Sequence, residues 1–257
     1  MTLLQPKISI ITAVKNNKAG LLHTLASIEA QSYPFLEYIV IDGGSTDGTL
    51  EVIKQNEGLI THWISEPDKG ISDAFNKGIR LSKGEYINFQ GAGDSFYQPN
   101  SIAQLFHHAS DGAELICGQV ARTSLEGEAL WVAPRSIPKI FDKKALLFKL
   151  TLPHQGLFTH RRFFEKWGEF ALDVKYAMDY EILLRAYHNF PSTEIYPVIV
   201  ANWQAGGIGT HQIKSVLKEY HHLKMRHKVA SKLMLKSIHE YNLFKLFVKS
   251  KLLGREV

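Results

Sequence analysis

The chain of 257 residues holds one cysteine, Cys117. A lone thiol excludes an intramolecular disulfide and a cysteine-built zinc site, and it fits a reducing compartment. No apolar run is long enough to cross a bilayer as a helix. The opening stretch MTLLQPKISIITAV lacks a basic region followed by an apolar core and a cleavage site. No signal peptide is therefore expected, and the expected location is the cytoplasm. There is no GxxxxGK[ST] loop and no early GxGxxG, which argues against the commonest phosphate-binding loops. Internal repeats and low-complexity tracts are also missing. Acid is scarce at one end only. From 211 to 257 there are eleven Lys/Arg against three Asp/Glu, while 1–210 carries 19 against 22. The net charge of +5 thus belongs to the tail. Nucleic acid is not expected as a partner of the main body, and the tail is a candidate for anionic surfaces.

What is present is an alternation of buried-strand and helix patterns. Short apolar, β-branched runs at Lys7–Val14, Glu37–Ile41, Leu59–Ile64 and Glu85–Phe89 predict strands. Helices are predicted between them at Ala19–Gln31, Thr46–Asn56 and Ser72–Leu81. This spacing implies parallel crossovers and an α/β fold, a Rossmann-like, mostly parallel sheet flanked by helices. Further on, Glu114–Ala121 and Ala129–Val132 read as a hairpin around Glu126-Gly127. Pro138–Lys149 reads as a helix, His154–Thr159 as a strand, Arg161–Trp167 and Tyr176–His188 as helices, and Thr193–Val200 as a strand. A long helical tract follows Gly206-Gly207-Ile208-Gly209.

Six segments stand in a telling order: SIITAVKNN, SIEAQSYPFLEYIVIDGGSTDGT, ISEPDKGISDAFNKGI, GEYINFQGAGD, PHQGLFTHRRFF and AMDYEILLR. Together they resemble an inverting family 2 glycosyltransferase of the GT-A fold, of the kind that builds bacterial capsule, O-antigen and exopolysaccharide. The resemblance covers roughly 7–203. It implies a catalytic domain over 1–210, with a nucleotide-sugar half to about 95 and an acceptor half from about 96, and a basic amphipathic helical tail at 211–257.

The resemblance also implies roles. Ala13 would pack near the base, and Asp42 and Ser45 would contact the nucleotide. Both Asp42 and Ser45 can equally shape a turn or cap a helix. Asp68 and Lys69 would reach base or phosphate, or form a solvated loop pair. Asp94 would hold a divalent metal, Mn or Mg, although Gly91, Ala92 and Gly93 stand where the family usually has further acids. One carboxylate can suffice when diphosphate and water complete the shell. Asp179 would be the catalytic base, with Glu181 as the competing carboxylate. His154 is a candidate metal or phosphate contact, or a hydrogen-bonded core histidine. Arg161 and Arg162 are candidates for an acceptor diphosphate or for a solvated face, and Trp203 with Gly206-Gly207 for a flap.

The implied partners are a nucleotide-sugar donor, with UDP favoured, and a saccharide or lipid-linked acceptor. In the tail, apolar residues alternate with lysines in a pattern that suits an anionic membrane surface, with peripheral attachment at the inner face of the cell membrane. Packing on the rest of the chain or on a second copy is the competing reading. Two other functions stay open: a nucleotidyltransferase, and a sugar-nucleotide binder without catalysis.

Overall fold

The computed structural model describes residues 5–124, 129–138, 140–204 and 212–253. They form two compact units. One comprises Met1–Phe141, Leu152–Phe170 and Pro191–Ala205; the other comprises Asp142–Thr151, Ala171–Phe190 and Gly206–Val257.

The first unit is built on a mixed sheet. Its strands are β1 (Ile8–Val14), β2 (Leu36–Asp42), β3 (His62–Ser65), β4 (Tyr86–Gly91), β5 (Ser95–Phe96), β6 (Leu115–Thr123), β7 (Ala129–Ala133), β8 (Leu157–His160) and β9 (Thr193–Gln204). The order across the sheet is β3-β2-β1-β4-β8-β6-β9-β5, with β7 paired to β6. β1, β2, β3 and β4 pair in parallel, in register Ile8 with Leu36 and Ile8 with Tyr86. β8 joins β4 antiparallel, and β6 joins β8 antiparallel.

The parallel half follows from local pattern. β1 reads ISIITAV and β2 LEYIVID, both buried on two faces, so neither shows polar alternation. Helices α1 (Lys18–Glu29), α2 (Thr49–Gln55) and α3 (Ile71–Leu81) make the crossovers. Ile8, Ile10, Tyr38 and Val40 join Leu21, Leu25, Ile28, Val52 and Ile53 in one core. A second core is aromatic: the Phe89 ring lies 4.8 Å from Phe75 and 5.1 Å from Phe170, centroid to centroid. The buried Asn76 amide ties α3 to this layer, donating to the Phe170 carbonyl at 2.9 Å and accepting from its N–H at 2.9 Å.

Several expectations are corrected. Residues 154–156 form a 3₁₀ turn, not the start of a strand, because Pro153 before them has no N–H for a ladder. Among the described residues of the helix expected at 138–149, only Lys143–Leu147 is helical, as a 3₁₀ segment capped by Asp142. α4 (Ser101–His108), with Ile102, Leu105 and Phe106 fully buried, lies in a stretch assigned no element above. β6 and β7 pair antiparallel as the hairpin reading requires, and the turn at Glu126-Gly127 lies outside the described residues. So do Gly206 to Gly209.

The second unit holds α5's successors: α6 (Met178–Arg185), α7 (Ile213–Arg226) and α8 (Lys232–Leu253); α5 itself (Arg161–Trp167) belongs to the first unit. The chain beyond 211 is therefore not set apart along the charge boundary. It folds with 142–151 and 171–190. Tyr220 of α7 packs on Tyr180 of α6 with centroids 4.3 Å apart. Lys224 is buried and donates to the Leu147 carbonyl at 3.0 Å. Burial pushes its pKa down to about 8.

A close approach sets a test of the first core. A Cβ at Gly78 in α3 would stand 2.3 Å from Ile11 Cγ2 in β1. Gly78→Ala improves helix propensity by about 1 kcal/mol, but forcing the layers apart costs about 1–3 kcal/mol, which matches or exceeds that gain. We expect a lower urea midpoint for Gly78→Ala; an unchanged or raised midpoint would show the α3–β1 packing to be loose.

Candidate functional site

The carboxyl ends of β1 to β4 converge at one sheet edge, where a crevice forms outside parallel strands. Ala13 lies near the end of β1, half-buried, and its carbonyl accepts from the Ala92 N–H at 3.2 Å. Asp42 ends β2 and is fully buried. Its carboxylate accepts from the Ser45 N–H at 3.1 Å, from the Ser45 hydroxyl, and from the Ser65 hydroxyl at 2.6 Å. The loop after β1 joins in. Asn16 donates its N–H to Ser45 Oγ at 2.7 Å and accepts from the Thr46 N–H at 2.8 Å. Asp42 and Ser45 thus do shape the turn.

Asp68 reaches this turn from beyond β3. A Cβ at Gly43 would stand 2.4 Å from Asp68 Oδ2, so a larger residue there would displace the carboxylate. Asp68 also accepts from the Gly70 N–H at 2.9 Å. Lys69 is exposed, and its N–H donates to Asp73 at 3.1 Å.

Asp94 closes the turn after β4. Gly93 has φ +108°, a conformation that glycine tolerates at little cost. Thr24 of α1 pins the turn: its hydroxyl accepts from the Gly93 N–H at 3.0 Å and donates to the Asp94 carbonyl at 2.7 Å. The Asp94 carboxylate, 8 % exposed, accepts from the Gly91 N–H at 3.0 Å and from Gln155 Nε2 at 3.1 Å. Gln155 follows His154 in the segment PHQGLF and was not among the candidate site residues. The structure aims the glutamine at Asp94. Asn88 and Gln90 fix it, donating to the Gln155 carbonyl at 3.1 and 3.0 Å. The half-buried His154 offers its carbonyl to Asn88 at 3.5 Å.

Two basic candidates have structural partners. Arg161 donates to the Gly84 carbonyl at 3.0 Å and the Ser82 carbonyl at 2.5 Å, and Arg162 to the Gly112 carbonyl at 2.7 Å. Trp203 lies in β9 under the Arg122 guanidinium, 4.5 Å from its centroid, in a ladder and not in a loop.

In the second unit, Asp179 sits half-exposed in the first turn of α6 and accepts from the Tyr180 N–H at 2.8 Å. Its charge adds to burial in raising the Tyr220 hydroxyl pKa. Glu181 points elsewhere. It is buried and accepts from Arg185 at 2.5 Å and His227 at 2.8 Å. Burial works to raise its pKa, but the His227 and Arg185 hydrogen bonds prevail and hold it below the usual carboxylate range. Glu219 of α7 was not foreseen. Its carboxylate accepts from the Lys175, Tyr176 and Ala177 N–H groups at 2.8, 2.8 and 2.9 Å, capping the entry to α6.

Among the described residues, no group of three or more His, Cys, Asp or Glu could hold a metal. A family sequence model, glycosyl transferase family 2, matches residues 9–168. The chain belongs to glycosyl transferase family 2. A relative in Mycobacterium bovis (strain BCG / Pasteur 1173P2), a PGL/p-HBAD biosynthesis glycosyltransferase, is 32 % identical over 211 residues, 79 % of this chain and 78 % of that one. The structure of S. aureus TarS 1–349 in complex with UDP-GlcNAc is similar at a TM-score of 0.69 and 14 % identity, over 91 % of this chain and 70 % of that one. The mannosyltransferase PcManGT of Pyrobaculum calidifontis, in complex with GDP-Man and Mn2+, is similar at a TM-score of 0.66 and 19 % identity, over 92 % and 69 %. The chain spans 42 % of a longer TarS chain. These likenesses establish the GT-A fold of the glycosyltransferase.

Two outcomes test the second unit. Glu219→Gln should cost about 1–3 kcal/mol of stability and speed amide exchange at 175–177 about tenfold or more; unchanged exchange would remove the cap. Glu181, with its lowered pKa, stabilises fully above the ordinary glutamate pKa of 4.5, and this contribution is lost as pH falls through the folded value. The thermal midpoint should therefore drop as pH falls below the ordinary glutamate pKa of 4.5, and Glu181→Gln should flatten that drop.

Proposed function

We propose that the chain is an inverting transferase that moves a sugar from a nucleoside diphosphate donor, UDP-linked by preference, to a hydroxyl of a saccharide or lipid-linked acceptor in bacterial surface polysaccharide synthesis. The observation that carries the proposal is the convergence of Ala13 and Asp42 at strand ends, and of Ser45, Asp68 and Asp94 in the loops that follow, at the carboxyl edge of four parallel strands. The nucleotide is assigned to the Asp42–Ser45 turn and to Asp68 and Lys69, which supply carboxylate acceptors and one flexible cation. The proposed site of action is the cytoplasm; among the described residues no helix is long and apolar enough to cross a membrane.

Asp94 is the residue assigned to a divalent ion, Mn or Mg, with His154 as a second candidate. The donor set fits such an ion only where diphosphate oxygens and water supply most of its shell, since Asp94 brings one carboxylate and Gly91 and Gly93 bring none. When bound, the ion would neutralise charge developing on the leaving diphosphate. The chain's own part is positioning. Gln155 and the Gly91 N–H hold the Asp94 carboxylate in one orientation. Asp179 is assigned the acceptor proton: its carboxylate takes it as the hydroxyl oxygen attacks the anomeric carbon and the diphosphate leaves from the opposite face. Against Glu181 in that role stands its pairing with Arg185 and His227.

Turnover with a donor and acceptor panel tests this reading. Asp179→Asn should lower kcat about 10²- to 10⁴-fold with donor affinity kept, because the base acts in the transition state. Asp94→Asn should abolish the metal-dependent part of the thermal shift produced by UDP with Mn²⁺. Glu181→Gln should lose stability and keep turnover per folded molecule. Full activity in Asp179→Asn would discard the base. Donor binding without turnover on any acceptor would favour a binder without catalysis.

A further inference from the structure

The inner face of α8 is accounted for. Leu235 and Ile238 are buried, Asn242 donates to the Phe148 carbonyl at 3.4 Å, and His239 stacks on His221 of α7 at 4.5 Å. The outer face is not polar. Leu233, Tyr241, Phe244, Phe247 and Leu252 are between 54 and 79 % exposed. Tyr241, Phe244 and Phe247 follow at intervals of three, and Leu233 and Leu252 each lie eleven residues from one of them, so the set shares a side of the helix. A helix that served only its own unit would turn polar residues outward.

The charge says what covers this face. Lys232, Lys236, Lys245, Lys249 and Lys251 are all exposed, and Glu240 is the one acid in α8. A second copy would bring two such lysine-rich helices together at a Coulomb cost. An anionic bilayer removes that cost and accepts the aromatic and leucine side chains at the level of its headgroups. We infer that the outer face of α8 is a docking surface for an anionic lipid bilayer, on which the helix lies without crossing it. The inference stands whether or not the chain transfers sugar, because α8 contributes none of the residues assigned to donor or acceptor.

The test uses the full chain, because α7 is part of the fold and truncation there would remove Glu219. Co-sedimentation is measured with vesicles of phosphatidylglycerol and phosphatidylcholine, and with phosphatidylcholine alone. Binding to the anionic vesicles is expected at low ionic strength, with a fall on raising salt toward about 0.5 M. Phe244→Ser with Phe247→Ser should lower the partition coefficient about tenfold or more. Lys245→Gln with Lys249→Gln should lower it about twentyfold on anionic vesicles only. Neither pair should change the thermal midpoint, since these side chains are exposed. Absence of binding at low salt, equal partition into neutral and anionic vesicles, or variants that bind as the parent does would overturn the inference. So would a dimer in sedimentation velocity that the phenylalanine pair dissolves without lipid; the face would then belong to a second copy.

Discussion

The first unit depends on how β4 is joined to β8. Their antiparallel ladder is short, with Tyr86 opposite His160 and Ile87 opposite Thr159. Beyond it the backbones part, and side-chain amides take over. Asn88 donates to the carbonyls of Gln155 and Leu157, and Gln90 Nε2 donates to Gln155 and to Asn88 Oδ1. Both amides are fully buried, so each unmade bond would carry a desolvation cost of about 1–3 kcal/mol. This network replaces a ladder with a bend. The bend sets the 154–156 turn against the end of β4 and aims Gln155 at Asp94.

The same economy of polar groups runs through the sheet edge. Asp42 accepts from Ser45 and Ser65, and so links the turn after β2 to the end of β3. Thr24 does the same for α1 and the Gly91–Asp94 turn. These loops are thus braced by the chain's own hydrogen bonds, which would lower the ordering cost of a ligand bound there. Glu37 performs a similar service elsewhere in β1 and β2, accepting from Ser9 at 2.5 Å and Lys7 at 3.1 Å.

In the second unit, carboxylates near α6 are sorted by their surroundings. Glu181 neutralises Arg185 and His227, and Glu219 caps the residues that lead into the helix. Asp179, on the first turn, is the one assigned to chemistry. The tail is therefore two things at once. α7 is architecture, carrying both the cap and the buried Lys224, and α8 presents an apolar face outward beside its lysines.

The parallel half of the sheet was legible because each strand is a short β-branched run and each crossover a helix of ordinary length. The placing of Ala13, Asp42, Asp68 and Asp94 at or just past strand ends followed from that reading, while the charge of the tail was read from composition alone. α4 was missed because SIAQLFHH is brief and bounded by no strong cap; burial of Ile102 and Phe106 against the core makes it a helix. Gln155 could not be assigned to Asp94, 61 residues earlier, nor Glu219 to Tyr176, 43 residues earlier, since no local pattern encodes such a pairing. Glu181 and Asp179 are two residues apart with the same chemistry. The sequence by itself determined where the carboxylates stand along their helices and strands; only tertiary packing decided which are consumed by arginine, histidine and backbone N–H groups, because burial fixes a charge's partners.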